Sequence, residues 1–174
     1  MLCHNAAVAL AVITPNTLIN PFFIKDLSRI LRKQFHNIKF LFCKTDTLAD
    51  IILSVEPMEA LRYLPYLREG GFVVTNSTPF INIPNYPEVE KVMSTLKSLP
   101  HQVIIDADTI AKESAGNVRA SNFVMLGAAS PFIEIPFEYL EEGIRAIFSR
   151  KGAEIVEMNL KALRAGREFA QNYK

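Results

Sequence analysis

Cysteine is scarce in this sequence, which contains only Cys3 and Cys43 among its 174 residues. Two cysteines do not build the disulfide framework of small secreted proteins, so a reducing compartment and a cytoplasmic location are expected. Only Cys3 has a metal-binding neighbour, His4, and adjacent residues seldom chelate one ion. The sequence therefore predicts neither a disulfide-stabilised scaffold nor a metal site.

Glycine is absent from the first 69 residues, and all seven glycines lie at or after position 70. A phosphate-binding loop requires glycines between an early strand and its helix, because the backbone must approach the phosphate closely. The sequence also contains no HExxH, CxxC or Walker motif, and no histidine is placed as the base of a nucleophile pair. It therefore lacks an N-terminal nucleotide loop and the familiar catalytic motifs.

Long hydrophobic runs are also missing. The longest run near the N-terminus, Ala6 to Ile13, is far shorter than the ~20 apolar residues that a membrane-spanning helix requires. No Lys or Arg precedes this run, so a secretory signal is not expected either. No membrane partner is predicted, and the length and the apolar content of 49% are typical of one globular domain.

Charge is nearly balanced overall but unevenly distributed. The formal net charge of +1 gives no general attraction to nucleic acid, and no nucleic-acid partner is predicted. Residues 1–44 nevertheless carry +5, whereas residues 45–174 carry −4. We interpret residues 1–48 as an atypical basic segment, either part of the same domain or divergent, and residues 49–174 as the main domain. A basic surface helix would also explain the difference.

Three apolar runs indicate the central strands: Asp50 to Val55, Phe72 to Thr75, and the segment "QVIIDAD" at 102–108. Near-continuous apolar runs are typical of strands buried on both faces of a parallel sheet. Segments with helical spacing separate and follow these runs. We therefore predict an α/β fold, a three-layer Rossmann-like domain with a mostly parallel (mixed) sheet flanked by helices.

Proline and glycine residues predict where several of these helices and strands begin and end. Pro57 suits the first turn of a helix, and Pro65 should kink that helix or end its first part. Gly70-Gly71 is expected to stop the helix before the next strand. In the N-terminal part, Asn5 to Ile13 is compatible with a strand or a short helix. "NPFFIKDLSRILRKQF" predicts a helix there, and "NIKFLFC" a strand.

Polar side chains follow each central strand, in the segments 54–57, 75–78 and 106–109. Ligands of open α/β sheets gather where strands end and loops begin. Hydroxyls and carboxylates at these positions also cap helices, and capping alone would explain each segment. Asp106 and Asp108 could bind a divalent ion, but no third ligand is nearby in the sequence.

Arg119 and Asn122 lie at the start of an apolar helical segment, "RASNFVMLGA". An arginine can hold a carboxylate or a phosphate through two hydrogen bonds, and a nearby helix N-terminus favours anions. The alternative is an arginine that pairs with an acid of its own chain.

Five segments together carry a resemblance to a known family: "ADIILSVEPMEALRYLPYL", "GGFVVTNSTPF", "NIPNYPEVE", "RASNFVMLGA" and "VEMNLKALRAG". In this order they resemble the gamma-type domain of 2-oxoacid:ferredoxin oxidoreductases, in particular the beta subunit of indolepyruvate ferredoxin oxidoreductase. The resemblance covers roughly residues 49–166. The family's opening glycine-rich turn has no counterpart here, which suggests a truncated, frame-disrupted or divergent start.

The resemblance implies a subunit of an oxygen-sensitive complex that oxidatively decarboxylates arylpyruvates to acyl-CoA and passes electrons to ferredoxin. It implies an alpha subunit as the partner, which would hold thiamine diphosphate and the 4Fe-4S clusters, while this chain itself binds no cofactor. The two cysteines agree with this, because a four-iron cluster needs ~4 thiolates. The alternative is a non-catalytic interaction module or a truncated remnant of that subunit.

We expect the loops at 54–57, 75–80 and 119–122 to share a position at strand ends and to face the partner subunit. The candidate substrate-binding or interface residues are Glu56, Asn76, Thr78, Arg119 and Asn122. The sequence assigns no catalytic residue.

Overall fold

In the part of the chain that the structure describes, five parallel strands form the centre of the fold. A computed structural model describes the backbone of residues 9–13 and 39–41, and residues 48–81, 85–133 and 135–173 in full. The strands are β1 (Ala9–Ile13), β2 (Lys39–Leu41), β3 (Ala49–Ser54), β4 (Leu67–Asn76) and β5 (Gln102–Ile105). They are ordered β2-β1-β3-β4-β5, and every described pair is parallel. The predicted helix "NPFFIKDLSRILRKQF", Cys3 and Cys43 lie outside the described residues.

Six α-helices accompany the sheet in the described residues. They are α1 (Pro57–Arg62), α2 (Val89–Lys97), α3 (Ala107–Ala115), α4 (Ser121–Ala129), α5 (Phe137–Phe148) and α6 (Ala153–Asn172). None of them is both long and apolar enough to cross a lipid bilayer. Helices cover both faces of the sheet, so the predicted α/β class is confirmed.

The central strands bury alternate side chains on opposite faces. Ile52, Val73 and Ile104 point to one face, where they pack against α1 and α2. Their neighbours along the strands point to the other face, against α3, α4, α5 and α6: Ile51, Leu53, Val74, Val103 and Ile105. Successive side chains of a strand alternate between faces, so a sheet covered on both sides needs apolar residues at every position.

The C-terminal ends of β3, β4 and β5 meet at one edge of the sheet. Ser54 is paired with Thr75, and Asn76 is paired with Ile105. We call this the carboxyl edge. The strand order reverses between β1 and β3, and ligand sites of open α/β sheets lie at the carboxyl edge beside such a reversal.

The predicted role of Gly70-Gly71 was wrong. Helix α1 ends at Arg62, a single 3-10 turn containing Pro65 follows, and β4 already begins at Leu67. Pairing advances from Ala49 to Ile51 on β3 but from Leu67 to Phe72 on β4, so the extra residues of β4 form a bulge. The two glycines allow the backbone to form this bulge. Gly70 has φ +74°, and a Cβ on Gly71 would lie 2.9 Å from the carbonyl oxygen of Asp50.

Helices α4 and α6 cross so closely that their backbones are in contact. A Cβ on Gly127 of α4 would lie 1.9 Å from the carbonyl oxygen of Leu163, and a Cβ on Gly166 of α6 would lie 1.9 Å from that of Val124. Seven of the nine residues of α4 are buried, from Phe123 to Ala129. The close crossing therefore places α4 inside the core, between the sheet and α6.

We predict that Gly166→Ala destabilises the protein. Helix propensity alone favours alanine over glycine by about 1 kcal/mol, but here the added methyl would displace the backbone of α4. Overpacking of this kind typically costs about 1–3 kcal/mol. Chemical denaturation measures the free energy of unfolding, and Lys161→Ala, at an exposed position of the same helix, is the control. A Gly166→Ala protein at least as stable as the wild type would contradict the described crossing.

Candidate functional site

The turn after β3 is built by Ser54, Glu56 and Pro57. The Ser54 hydroxyl donates to the carbonyl oxygen of Glu56 (2.7 Å), and the Glu56 N–H donates back to Ser54 Oγ (3.3 Å). Glu56 is extended and caps α1, since its Oε2 accepts the N–H of Glu59 at 2.8 Å. Pro57 occupies the first helical position, where no N–H is required.

Glu56 is only 2% exposed although it carries a carboxylate. Its second oxygen, Oε1, accepts a hydrogen bond from the Tyr86 hydroxyl, thirty residues further along the chain. We call this pair the Glu56–Tyr86 clasp. Both carboxylate oxygens are thus hydrogen-bonded, as a buried charge requires. The clasp ties the loop that follows β4 to the end of β3.

The clasp changes the titration of the tyrosine. Burial and the adjacent Glu56 carboxylate raise the pKa of Tyr86 well above its ordinary value of 10.0, and the backbone of Met58 opposes this shift. Burial disfavours the phenolate, and a nearby negative charge disfavours it further. Tyr86 therefore stays a hydrogen-bond donor throughout the neutral range.

Asn76 joins the end of β4 to the start of α3. Its Oδ1 accepts the N–H of Ala107 at 3.1 Å, and its Nδ2 donates to Asp108 Oδ2 at 3.4 Å. The N–H of the next residue, Ser77, donates to the carbonyl oxygen of Ile105 at 2.9 Å. The amide side chain thus fixes the loop after β4 to the turn after β5.

Asp106 caps α3 with both of its carboxylate oxygens. Oδ1 accepts the Thr109 N–H (3.0 Å) and Oδ2 accepts the Thr109 hydroxyl (2.8 Å). Among the described residues, no three His, Cys, Asp or Glu side chains are close enough together to hold a metal ion. The 106–109 segment is therefore explained by helix capping and the contact with Asn76.

The predicted interface residues fall into two places. Glu56, Asn76 and Thr78 lie at the carboxyl edge, with Thr78 exposed. Arg119 and Asn122 instead follow the C-terminus of α3, a helix about 13 Å long whose N-terminus is at that edge. The predicted shared position at strand ends thus holds for the first three residues only.

Arg119 and Asn122 lie in two successive turns, a 3-10 turn and the first turn of α4. Asn117 Oδ1 accepts the backbone N–H of Arg119 at 3.0 Å and begins a 3-10 turn that leads into α4. The Arg119 guanidinium is exposed and forms no ion pair with any described residue. Asn122 is partly buried in the first turn of α4.

Sequence reasoning missed the residues of the loop between β4 and α2. Tyr86 makes the clasp, and Phe80 and Ile81 are 47% and 64% exposed. The signal was available in part, because "NSTPFINIPNYPEVE" places aromatic residues in a proline-rich loop. The partner of Tyr86 was not predictable, since no local pattern links positions thirty residues apart.

The carboxyl edge is poorly suited to bind an anion. A diphosphate binds the free N–H groups at a helix N-terminus, but α1 and α3 are already capped by the carboxylates of Glu56 and Asp106. The described edge also holds no serine or cysteine hydrogen-bonded to a histidine, as a nucleophile pair would be. The polar groups of the described edge are therefore engaged mainly in helix capping and in contacts between loops.

Residues 44–169 match the profile of the family described as pyruvate ferredoxin/flavodoxin oxidoreductase. Two similar curated proteins are both called indolepyruvate oxidoreductase subunit IorB. The protein from Archaeoglobus fulgidus is 36% identical over 127 residues, which are 68% of this chain and 61% of that protein. The protein from Pyrococcus horikoshii is 35% identical over 133 residues, 71% of this chain and 64% of its own length. The chain thus spans less than two thirds of the length of these relatives.

Two solved structures share the fold. The gamma subunit of a keto/oxoacid ferredoxin oxidoreductase from Geobacter sulfurreducens has a TM-score of 0.53 and 24% identity, covering 74% of this chain and 66% of that chain. A 2-oxoglutarate:ferredoxin oxidoreductase from Magnetococcus marinus, with 2-oxoglutarate, coenzyme A and succinyl-CoA bound, has a TM-score of 0.54 and 22% identity. That match covers 78% of this chain and 22% of the other. At these identities the likeness establishes the α/β fold.

We predict that Tyr86→Phe lowers the free energy of unfolding by about 1.5–3 kcal/mol near neutral pH, the usual contribution of a hydrogen bond to a charged group. A folded-state pKa above the unfolded value means that this stabilisation is fully present below pH 10.0 and is lost as the pH rises towards the folded-state pKa. Wild type and variant should therefore converge at high pH. Denaturant unfolding near neutral pH and above pH 10.0 measures both effects.

Tyr66→Phe is the matched control for the clasp, because the Tyr66 hydroxyl has no hydrogen bond to a described residue and its ring packs on Tyr63. It should leave stability within about 0.5 kcal/mol of the wild type. Equal losses in the two variants, or a Tyr86→Phe deficit that grows with pH, would show that the clasp does not stabilise the fold.

Proposed function

Because this chain belongs to the pyruvate ferredoxin/flavodoxin oxidoreductase family, we propose that it is a subunit of an indolepyruvate (arylpyruvate) ferredoxin oxidoreductase. In this reaction a 2-oxoacid is oxidatively decarboxylated with coenzyme A, which gives an acyl-CoA and carbon dioxide, and the electrons pass to ferredoxin. The observation that carries the proposal is the 35–36% identity, over two thirds of the chain, to two proteins named indolepyruvate oxidoreductase subunits.

The side chains that this chain offers support a complex in which a partner subunit holds the cofactors. Glu56 and Asp106 place carboxylates at the helix N-termini of the carboxyl edge, so the diphosphate of thiamine diphosphate would meet like charge there. Two cysteines are too few for a 4Fe-4S cluster, which needs ~4 thiolates. In our proposal the alpha subunit of the complex holds both groups, and ferredoxin reacts with the assembled complex.

Within this proposal the main domain, residues 49–174, presents its carboxyl edge to the alpha subunit through Glu56, Asn76 and Thr78. Thr78 is exposed and can make direct contacts, whereas Glu56 and Asn76 are buried and act by shaping the edge. Arg119 and Asn122 form a separate contact, about the length of α3 away. The cytoplasmic location expected from the cysteine content stays a prediction.

Reconstitution tests the proposed function. We expect purified alpha subunit to reduce ferredoxin with an arylpyruvate and coenzyme A only when this chain is added, because this chain completes the assembly. Thr78→Ala and Arg119→Ala, both at exposed positions, should leave the thermal midpoint unchanged while lowering turnover if their contacts matter. Ferredoxin reduction is followed by its absorbance.

Full turnover by the alpha subunit alone, or by this chain alone, would contradict the proposal. The competing possibility, a non-catalytic interaction module, predicts co-purification with the alpha subunit but no gain in ferredoxin reduction on mixing. Measuring binding and turnover on the same samples separates the two. Unchanged turnover in both variants would remove Thr78 and Arg119 from the interface while leaving the subunit assignment intact.

A further inference from the structure

The loop between β4 and α2 exposes an apolar pair. Four large hydrophobic residues are exposed among those described, and only two of them are adjacent, Phe80 at 47% and Ile81 at 64%. The other two, Leu48 and Val118, are isolated in the sequence. Single exposed hydrophobic residues are ordinary, whereas a contiguous exposed apolar surface indicates a binding site.

Hydrogen bonds fix the chain on both sides of the apolar pair, at a first stem (Asn76 and Ser77) and at a second stem (Tyr86). On one side the Ser77 N–H donates to the carbonyl oxygen of Ile105, and Asn76 binds the start of α3. On the other side the Glu56–Tyr86 clasp fastens the loop to the end of β3. Described residues on both sides of the apolar pair are therefore fixed at the carboxyl edge, which reduces the conformational entropy that binding through Phe80 and Ile81 would cost.

Carboxylates flank both stems. Asp106 and Asp108 lie beside the first stem, where Asp108 contacts Asn76, and exposed Glu88 comes just after the second. None of the three forms an ion pair with a described Lys or Arg. The edge that carries the apolar pair thus also carries three carboxylates without a described cationic partner, and a complementary surface would combine apolar with basic groups.

We propose that Phe80 and Ile81 are the hydrophobic anchor by which this chain docks the alpha subunit, in an apolar pocket bordered by Lys and Arg. The inference rests on the proposed function for the identity of the partner. A second copy of this chain is a poorer occupant, because a two-fold contact places the same patch against itself. Asp106, Asp108 and Glu88 would then face their own equivalents, and like charges held together across an interface repel each other.

The test measures the dissociation constant between the full chain and purified alpha subunit by surface plasmon resonance. Phe80→Ser with Ile81→Ser should weaken binding by about tenfold or more, mainly through faster dissociation, with an unchanged thermal midpoint. Leu48→Ser is the matched control, because Leu48 is 55% exposed but directly precedes β3, at the opposite end of the strands from the carboxyl edge. It should stay within about twofold of the wild type, as expected for residues outside the hot spot.

A second variant tests whether Lys and Arg border the proposed pocket of the alpha subunit. Glu88→Gln should slow association severalfold at low salt and reduce the dependence of the association rate on ionic strength. Glu88 suits this purpose because its side chain makes no capping hydrogen bond to α2. An association rate that rises with salt would overturn the charge assignment.

Other outcomes decide the proposal as follows. Wild-type binding by the double variant, or an equal loss in Leu48→Ser, overturns the anchor while wild-type reconstitution still supports the proposed function. No association of the wild-type pair overturns both. Self-association of this chain that disappears in the double variant assigns the patch to a second copy and overturns docking to the alpha subunit.

Discussion

Burial of the central sheet on both faces is the constraint on which the rest of the structure depends. With Ile51, Ile52, Val73 and Val74 fully covered by helices, the strands have no place for polar side chains until they end. Ser54, Thr75 and Asn76 are therefore the first polar residues of their strands after these apolar runs, and they emerge together because parallel strands finish at one edge. The position of the candidate site follows from the packing of the core.

The same constraint explains why the chain's own carboxylates occupy this edge. Helices α1 and α3 both start there, and their free N–H groups need acceptors. Glu56 and Asp106 each accept one of these N–H groups and place a carboxylate at the positive end of the helix. The edge thus carries buried, hydrogen-bonded polar groups, several carboxylates and an exposed apolar pair, and these features support the docking role that we propose for it.

The sequence allowed the α/β class and the central strands to be predicted, because apolar continuity and helical spacing are local signals. Glu56 and Asn76 were found for the same reason, as polar residues after apolar runs. Gly70-Gly71 was misassigned because two glycines serve a strand bulge as well as a helix end, and only pairing with β3 distinguishes these roles. Tyr86 and the separation of Arg119 from the edge depend on how distant elements pack, which residue spacing does not specify.

The bulge in β4 has a practical consequence for work on this protein. It lies at the start of β4, at the opposite end of the strands from the carboxyl edge, and Arg68, Glu69 and Gly70 within it are exposed. A cysteine for attaching a fluorophore could replace Glu69 without touching the core. Such a label would lie far from Phe80 and Ile81, so binding through the proposed anchor could be followed by fluorescence without altering it.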